Sequence, residues 1–494
     1  MSKSYRPEID GLRAISVIAV IVYHFGLFYN NEILPGGYIG VDIFFVISGY
    51  LIGRNLLSEY YLTNSINLKQ FYIKRAKRIL PALFFILLVT TIFANLFLAP
   101  RLILNYNDSL FSSILFVSNF YFWFTGQAYG SPQIIEQPLL HTWSLSVEEQ
   151  FYIIFPLIVI FFLNFFNKNF YRFKILLFIL FSLSLSISIL LSYIAPSLNF
   201  YFSISRVFEL MIGVIIALQG IINNKNSDNK KYYFLSYVGL IIILFFFFFF
   251  NSTTKHPSLI TLVPLLGAYF FIKFYYTKSF LKYFISNKLI VFFGLCSYSL
   301  YLVHFPILSI SKSLNVLANN YVILLIIIFC SSIFIYYFIE KKLRYIKSNN
   351  IFLLIIFIFL LPNLIVNKYL DTTPDIIKNN KELYNTLYLK NENKLKKFKK
   401  INKQEIFCNF FDIRNCIINK QKKNLIILGD SHANILLNIS QHVETKDFNF
   451  IKIITPGCLI LPGYDRIHLK TKAKAKDCNN ELFKKIINFL NKQS

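Results

Sequence analysis

The sequence predicts an all-α polytopic membrane domain with about ten plus one transmembrane helices, followed by a partial α/β domain. Hydrophobic residues make up 55% of the 494 residues and aromatic residues 18%, and the mean hydropathy is +0.53. These values are too apolar for a soluble globular protein. Apolar runs long enough to cross a bilayer recur as far as residue 367, after which the chain becomes rich in Lys, Asn and Glu.

About eleven apolar runs have the length of a transmembrane helix, whereas the segment 109–125 is shorter and more polar and predicts a re-entrant or interfacial segment. The predicted spans are 12–29, 38–57, 79–99, 148–166, 174–194, 206–222, 232–250, 259–276, 290–311, 320–339 and 351–367. The predicted parts of the chain are a membrane domain at 1–345, an additional transmembrane helix at 346–367, a linker at 368–406 and the partial α/β domain at 407–494.

The distribution of charge predicts the topology. The net charge is +27, a value that also occurs in nucleic-acid-binding proteins. With a cytoplasmic N-terminus, however, Lys and Arg concentrate in alternate loops, as the positive-inside rule requires. We therefore expect contact with a lipid bilayer rather than nucleic acid, and an odd number of spans places the C-terminal part outside. The leader mixes both charge signs, so the first span is expected to remain as an anchor rather than to be cleaved.

The six cysteines fall into two groups. Cys296 and Cys330 lie in apolar spans and are expected to act as small hydrophobic residues. The other four lie in the outer part, where oxidising conditions preserve disulfides, and they permit three pairings. No CxxC pair occurs, so we expect no metal site. The pairings that sequence proximity favours are Cys408–Cys416 and Cys458–Cys478.

Arg13 and His24 lie inside the first apolar run. An ionisable residue in a transmembrane helix is costly and by default marks a functional site. Their spacing returns to nearly the same helix face, about 16 Å further along the axis. One face therefore carries a cation near one membrane surface and an imidazole deep toward the other. A snorkelling Arg and a His that is hydrogen-bonded to a neighbouring helix also fit this pattern.

A basic segment precedes the third span, at residues 67–83. Arg75 and Arg78 are three residues apart and share a helix face at the cytoplasmic mouth of that span. Because Arg binds phosphate in a bidentate fork, these two residues and Arg13 can together bind a polyphosphate group. Ordinary positive-inside topology explains such a loop equally well.

Four polar or aromatic residues, His141, Trp143, Glu148 and Glu149, are predicted at the outer entrance to the fourth span. Adjacent residues of a helix point about 100° apart, so at most one of the two glutamates faces the helix bundle. Such a cluster at a membrane entrance favours a functional mouth. A glutamate at the start of a helix is also often only a partner of the helix dipole.

Two further pairs lie on single helix faces. Arg206 and Glu209 share one helix face of the sixth span. Tyr301 and His304 share one helix face of the ninth span. The ninth span runs outward, which places His304 at about the depth of His24. Two imidazoles at one depth with carboxylates above them predict a proton-transfer chamber, although each residue alone also fits a structural role.

These segments together resemble the acyltransferase-3 family of bacterial integral membrane O-acyltransferases. The resemblance covers nearly the whole of residues 5–345, in order. One departure follows Glu340, where the family often has Glu-x-Pro-x-Arg and Lys342 stands here instead of the proline, which puts only a local kink in doubt. The matching segments are RPEIDGLRAISVIAVIVYHF, GGYIGVDIFFVISGYLI, FYIKRAKRILPAL, HTWSLSVEEQFYIIFP, SISRVFELMIG and SYSLYLVHFP.

The resemblance implies transfer of an acyl group, usually acetyl from acetyl-CoA, to a hydroxyl of an extracytoplasmic glycan such as lipopolysaccharide O-antigen, exopolysaccharide or peptidoglycan. Acyl-CoA is then a donor substrate, no cofactor stays bound, and the protein belongs in a bacterial inner or plasma membrane. Arg13, Arg75 and Arg78 are the expected ligands of the CoA phosphates. His24 suits general-base chemistry because an imidazole titrates near neutral pH. The expected catalytic residues are His24, Glu149, His304 and Ser431.

The outer part begins as a β-α-β unit. Asn424–Leu428 and 448–455 are predicted strands, and a helix is predicted to start near Ser431 after a turn at Gly429. Asp430 and Ser431 thus follow the carboxyl end of a strand, where α/β sheets place active sites. The segment LIILGDSHA resembles the start of an SGNH-type hydrolase domain, with Ser431 in the position of the nucleophile.

An active SGNH domain implies further blocks: a glycine and an asparagine for the oxyanion hole and a late Asp-x-x-His that activates the serine. Asp465 and His468 have that spacing but follow Ser431 too closely for a complete domain. The domain is therefore expected to be truncated or vestigial. Because an unactivated serine is a weak nucleophile, we expect Ser431→Ala to lower acylation far less than His24→Ala.

Two other functions remain open. About eleven spans with buried charges also suit a transporter or glycan exporter, although transport does not explain the Arg13–His24 spacing beside a GDSH segment. A membrane-anchored SGNH esterase is the second alternative, but one span suffices for an anchor.

Overall fold

The computed structural model describes residues 5–29, 33–98, 100–126, 137–222, 232–251, 253–314 and 321–370, together with three short strands further on. The chain divides into two units, Met1–Tyr369 and Leu370–Ser494. The first unit is helical throughout the part described, and the strands belong to the second.

Seventeen α-helices make up most of the described part of the first unit. A π-helical turn at Tyr336–Glu340 joins α15 to α16. In chain order the helices are α1 Pro7–Tyr29, α2 Ile39–Thr63, α3 Leu68–Phe97, α4 Pro100–Ile114, α5 Ser118–Gly126, α6 Thr142–Phe165, α7 Phe170–Ile194, α8 Pro196–Tyr201, α9 Ser203–Ile222, α10 Phe234–Phe249, α11 Leu262–Phe274, α12 Leu281–Ile285, α13 Lys288–Leu295, α14 Ser297–Leu314, α15 Tyr321–Ile335, α16 Lys341–Arg344 and α17 Asn349–Leu370.

Nine of the eleven predicted spans each fall on a single helix, the span 290–311 falls on α13 and α14, and the span 320–339 falls on α15 and the π-helical turn. Among the described residues, seven helices are long and apolar enough to cross a membrane: α1, α2, α3, α6, α7, α9 and the continuous stretch Tyr321–Arg344. The pair α13 and α14, bent by 63°, makes an eighth. Shorter apolar helices are α10, α11 with the turn before it, and the part of α17 at Asn349–Asn363. The predicted all-α polytopic fold is confirmed. α10 and α11 are shorter than their predicted spans, and the span predicted at 290–311 is bent between α13 and α14.

Two helices begin well before their predicted spans. α3 begins at Leu68, where the Asn67 side chain accepts a hydrogen bond of 2.9 Å from the Gln70 amide and caps the helix. α6 begins at Thr142. Four predicted site residues therefore lie inside helices: Arg75, Arg78, Glu148 and Glu149. Polar residues that face the interior of a helix bundle do not end a helix.

Glycines allow the central helices to approach closely. A Cβ atom added to Gly49 of α2 would lie 1.9 Å from the Leu210 carbonyl oxygen, and one on Gly213 of α9 would lie 2.0 Å from that of Val46. Small residues at such contacts are typical of membrane helix pairs. They bring α2 and α9 together on the side of the bundle where the polar residues collect.

The segment predicted to be re-entrant or interfacial forms the end of α4 and all of α5. The two helices meet at a break where Phe116 has a φ of 54°. Neither is long enough to cross a membrane. The interruption also places Ser118 against Ser146 of α6, with their hydroxyl oxygens 2.8 Å apart.

The helix after α15 is irregular although Lys342 replaces the family's proline. The π-helical turn Tyr336–Glu340 provides the irregularity, and such turns occur mostly as local insertions in α-helices. Glu340 is buried and accepts a hydrogen bond of 2.8 Å from the Ser299 hydroxyl. The distortion expected from a proline is thus present without one.

The second unit contains a parallel sheet in the order β1-β3-β2. Its strands are β1 Cys408–Asn409, β2 Lys423–Gly429 and β3 Phe448–Ile454. β2 and β3 pair in register from Lys423 with Phe448 to Gly429 with Ile454. They coincide with the two predicted strands, and their parallel pairing is that of a β-α-β unit.

Candidate active site

Two cavities lie within the helical unit and share two of the described residues that line them, Val41 of α2 and Tyr301 of α14. We name them after their charged residues. The arginine cavity has a volume of about 80 Å³ and the histidine cavity one of about 230 Å³.

Three predicted phosphate ligands, Arg13, Arg75 and Arg78, line the arginine cavity together. α1 supplies the first and α3 the other two. Arg13 forms an ion pair with Asp10 at 3.1 Å, and the Arg75 guanidinium lies 3.8 Å from the centre of the Tyr152 ring. Glu148 is the single carboxylate among the described lining residues, so the lining is net positive.

Glu148 belongs to the arginine cavity, which corrects its predicted place at the outer entrance of the fourth span. Its carboxylate accepts hydrogen bonds from Ser48 at 2.8 Å and from Tyr152 at 3.1 Å. α6 begins at Thr142, so Glu148 lies about 9 Å along the helix from that end. That depth places it beside the arginines instead of the mouth.

Glu149 lines neither cavity. Its Oε1 atom is buried and makes no hydrogen bond with a described residue. The structure therefore does not bring this predicted catalytic residue to His24. Neighbouring residues of a helix point about 100° apart, so Glu148 can line a cavity while Glu149 does not.

His24 and His304 contact each other, with 3.0 Å between His24 Nδ1 and His304 Nε2. Their rings stack with centroids 5.1 Å apart. Of these two residues, His24 lines the histidine cavity, whereas His304 is fully buried and does not line it. The expectation that the two imidazoles share one depth is confirmed.

The hydrogen bonds define which nitrogen of each ring carries a proton. His304 Nδ1 lies 3.2 Å from the Leu300 carbonyl oxygen, which can only accept, so Nδ1 is the protonated nitrogen. Neutral His304 then accepts from His24 through Nε2, and the proton of neutral His24 must be on Nδ1. His24 Nε2 is left with a free lone pair, and no hydrogen bond from a described residue occupies it.

His141 lines the same cavity and completes a cluster of three histidines. Its ring stacks on Phe305 at 5.6 Å and lies 5.7 Å from the ring of His304. Neither ring nitrogen makes a hydrogen bond with a described residue. The sequence places this residue near a functional mouth, and the structure places it against the histidine pair.

A buried charge cluster closes another side of the histidine cavity. Arg206 forms ion pairs with Asp42 at 2.5 Å and with Glu209 at 3.0 Å, which confirms the predicted Arg206–Glu209 pair. The His256 ring lies 3.3 Å from Asp42, and burial lowers the pKa of His256 although the carboxylate opposes the shift. The two terminal nitrogens of Arg206 thus have protein partners, whereas its Nε makes no hydrogen bond with a described residue.

Asp42 and His256 are the residues of this cluster that sequence reasoning missed. An aspartate inside a predicted span is a signal that the intramembrane rule can detect. His256 has no such signal, because it lies in the connection between α10 and α11 and reaches Asp42 only through the fold.

Tyr301 separates the two cavities. Its hydroxyl donates to the His141 carbonyl oxygen at 2.8 Å and lies 2.7 Å from Ser144 Oγ. The predicted face shared by Tyr301 and His304 is present, with ring centroids 5.4 Å apart.

Several predicted features lie outside the described residues or side chains. They are Ser431, Asp465, His468 and the two disulfides, which stay predictions. Within the described part, Cys330 is a free thiol in α15 and Cys296 is a free thiol at the break between α13 and α14. No group of three or more His, Cys, Asp or Glu in that part is arranged to hold a metal ion.

Two domain families match the sequence. One is an acyltransferase domain, matched by residues 6–341, and the other is an SGNH domain of the kind fused to acyltransferase-3 domains, matched by residues 401–494. No solved structure matches.

Curated relatives are similar to part of this chain. Peptidoglycan O-acetyltransferase OatA of Listeria monocytogenes is 32% identical over 322 residues, which are 63% of this chain and 50% of the relative. O-acetyltransferase OatA of Staphylococcus aureus is 41% identical over 219 residues, 44% of this chain and 35% of the relative. A putative O-acetyltransferase of S. aureus is 34% identical over 322 residues, 63% of this chain and 52% of the relative. The chain thus spans about half or less of the length of these relatives.

Proposed function

The chain belongs to the acyltransferase domain family that matches residues 6–341, and from this premise we propose that it acylates an envelope glycan. The donor is a cytoplasmic acyl-CoA, with acetyl-CoA the first to test. The acceptor is a hydroxyl of an extracytoplasmic glycan. The chain is a multi-pass membrane protein, and we place it in the bacterial inner or plasma membrane with residues 407–494 outside.

The single observation that carries this proposal is the adjacency of the two cavities. A cavity lined by three arginines suits the phosphates of CoA, because guanidinium groups bind phosphate through two parallel hydrogen bonds. Next to it, His24 presents a free imidazole nitrogen to a second cavity. A phosphate site beside a held base is the arrangement that transfer from a CoA thioester needs.

His24 is the proposed general base. As the acceptor hydroxyl attacks the thioester carbonyl carbon, its proton passes to His24 Nε2 and a C–O bond forms. The C–S bond then breaks, and the proton on Nε2 passes to the departing thiolate, which leaves as the free CoA thiol. His304 is the proposed positioning residue, because it holds His24 in the tautomer with Nε2 unprotonated.

Peptidoglycan is the proposed first acceptor. The L. monocytogenes relative is named a peptidoglycan O-acetyltransferase, and its identity to this chain supports testing the same glycan. Lipopolysaccharide and exopolysaccharide are the alternative acceptors within the same chemistry.

Acylation in a strain that depends on this protein alone tests the proposal. His24→Ala should lower glycan O-acylation by about 10²–10⁴-fold, the usual contribution of general-base catalysis. Glutamine keeps the size of the side chain but cannot take up the proton, so acylation by the His24→Gln variant should fall by the same factor. Membrane levels and thermal unfolding should match the wild type. Near-normal acylation by either variant refutes the role of His24.

A further inference from the structure

The constriction between the two cavities consists of two side chains on different helices. Val41 and Tyr301 are the described residues that line both cavities, and every other described lining residue belongs to only one. Val41 is 8% exposed. The arginines and His24 thus lie on opposite sides of this pair.

Both side chains of the constriction are held in place. The Tyr301 hydroxyl lies within hydrogen-bond distance of Ser144 and of the His141 carbonyl, and its ring packs 5.5 Å from that of His141. Val41 lies in the first turn of α2, where its amide donates to the Tyr38 carbonyl at 3.0 Å. A valine in a helix keeps one strongly preferred rotamer. A group that passes must therefore fit between two fixed surfaces.

We propose that Val41 and Tyr301 form the passage through which the donor's acyl group reaches His24, and that this passage selects donors by acyl cross-section. The inference rests on the proposed function, since only a donor bound at the arginines has to pass here. An unbranched acyl group presents the width of one methylene chain at every point. A group branched next to the carbonyl presents two methyl groups side by side and is excluded.

Competition between acetyl-CoA and isobutyryl-CoA tests this passage with purified protein in liposomes and a soluble glycan acceptor. The wild type uses acetyl-CoA and discriminates against isobutyryl-CoA. Val41→Ala widens the passage, so the ratio of the isobutyryl rate to the acetyl rate should rise by about 10-fold, a typical value for one or two methyl groups in an apolar site. An unchanged ratio in a folded Val41→Ala protein overturns the inference.

A bulkier side chain supplies the opposite change. Val41→Phe should lower acetyl transfer by about 100-fold while the Kd for acetyl-CoA stays near the wild-type value, because the three arginines are untouched. Transfer near the wild-type rate by folded Val41→Phe contradicts the passage. Loss of acetyl-CoA binding as well contradicts it too, since the defect then lies at the arginine cavity.

Two control variants separate the passage from packing. Val46 is buried in the same helix but lines neither cavity, so Val46→Ala should leave the donor ratio unchanged. Val322 is 69% exposed at the start of α15, so Val322→Phe tests added bulk alone. If the wild type transfers from neither donor, the proposed function fails. If it transfers acetyl and the Val41 variants behave like their controls, only the passage fails.

Discussion

At the scale of single residues, the hydrogen bond to the Leu300 carbonyl is the feature that gives His24 its proposed role. The backbone oxygen decides the tautomer of His304, and His304 decides that of His24. A carbonyl cannot change its hydrogen-bonding role, so the direction of this chain of hydrogen bonds is determined by the fold.

Replacing His304 tests this positioning. His304→Ala removes the acceptor for His24 Nδ1 and should lower kcat by about 100-fold, as misplacement of a reacting group does. His304→Gln can offer its side-chain carbonyl oxygen to the same proton and should recover part of the rate. Steady-state kinetics of both variants with acetyl-CoA measure the difference. Equal rates for the Ala and Gln variants would rule out the tautomer role.

The arginine side chains should act on donor binding. Arg78→Ala removes one charge from the arginine cavity and should raise the KM for acetyl-CoA by about 10–100-fold, since hydrogen bonds to charged groups contribute about 1.5–3 kcal/mol. Arg78→Lys should restore this only in part, because an ammonium cannot form the bidentate fork. Lys74 is exposed on the same helix, so Lys74→Ala is the matched control. An identical KM for Arg78→Ala and Lys74→Ala would exclude Arg78 from the donor site.

At the scale of helices, the buried charge cluster connects α2, α9 and the connection between α10 and α11. Arg206 and Asp42 are 1% and 0% exposed, so each charge depends on the other. Asp42→Ala leaves Glu209 as the one carboxylate among the described residues that pairs with the guanidinium, and it should lower the free energy of unfolding by about 3–5 kcal/mol.

Removing the other two charges as well distinguishes the lost ion pair from lost packing. The triple variant Asp42→Ala, Arg206→Met and Glu209→Gln leaves neither the guanidinium nor the Glu209 carboxylate buried without an ionic partner, and it should be more stable than Asp42→Ala alone. Thermal unfolding in detergent, compared at equal protein concentration, measures both. A triple variant less stable than Asp42→Ala would show that packing dominates.

The helices show how far the sequence predicts this fold. The membrane-length helices of the structure are recognisable in the sequence because an apolar run of bilayer length has few alternatives. The starts of α3 and α6 cannot be recognised from the sequence in this way, because the first turns of these helices are polar and face other helices. For that reason Glu148 was expected at the outer mouth and lies instead at the arginine cavity.

The candidate site was predictable where one helix carries the pattern. The Arg13–His24 spacing and the Arg75–Arg78 pair are visible in single helices, and the structure places these four residues along the two adjoining cavities. The contact between Asp42 and His256 joins residues far apart in the chain, and no local pattern reports it. No local pattern in the sequence reports the separation of the two cavities by Val41 and Tyr301 either.

At the scale of the whole molecule, the proposed reaction requires that the two ends of the path face opposite sides of the membrane. Lys and Arg concentrate in alternate loops, so we expect Asn367 to be followed by an extracytoplasmic segment. A periplasmic reporter such as alkaline phosphatase fused after Asn367 should be active, and a cytoplasmic reporter at the same point should be silent. Activity of the cytoplasmic reporter alone would refute the topology and both expected disulfides.

The measurement that tests the central claim most directly is label transfer across a reconstituted membrane. Purified protein in liposomes receives acetyl-CoA with a radioactive acetyl group on the side of the arginine cavity, and a glycan acceptor on the other side. We predict labelled glycan for the wild type and about 10²–10⁴-fold less for His24→Gln. Equal labelling by both proteins, or labelling only when donor and acceptor share one side, would contradict acyl transfer through the His24 site.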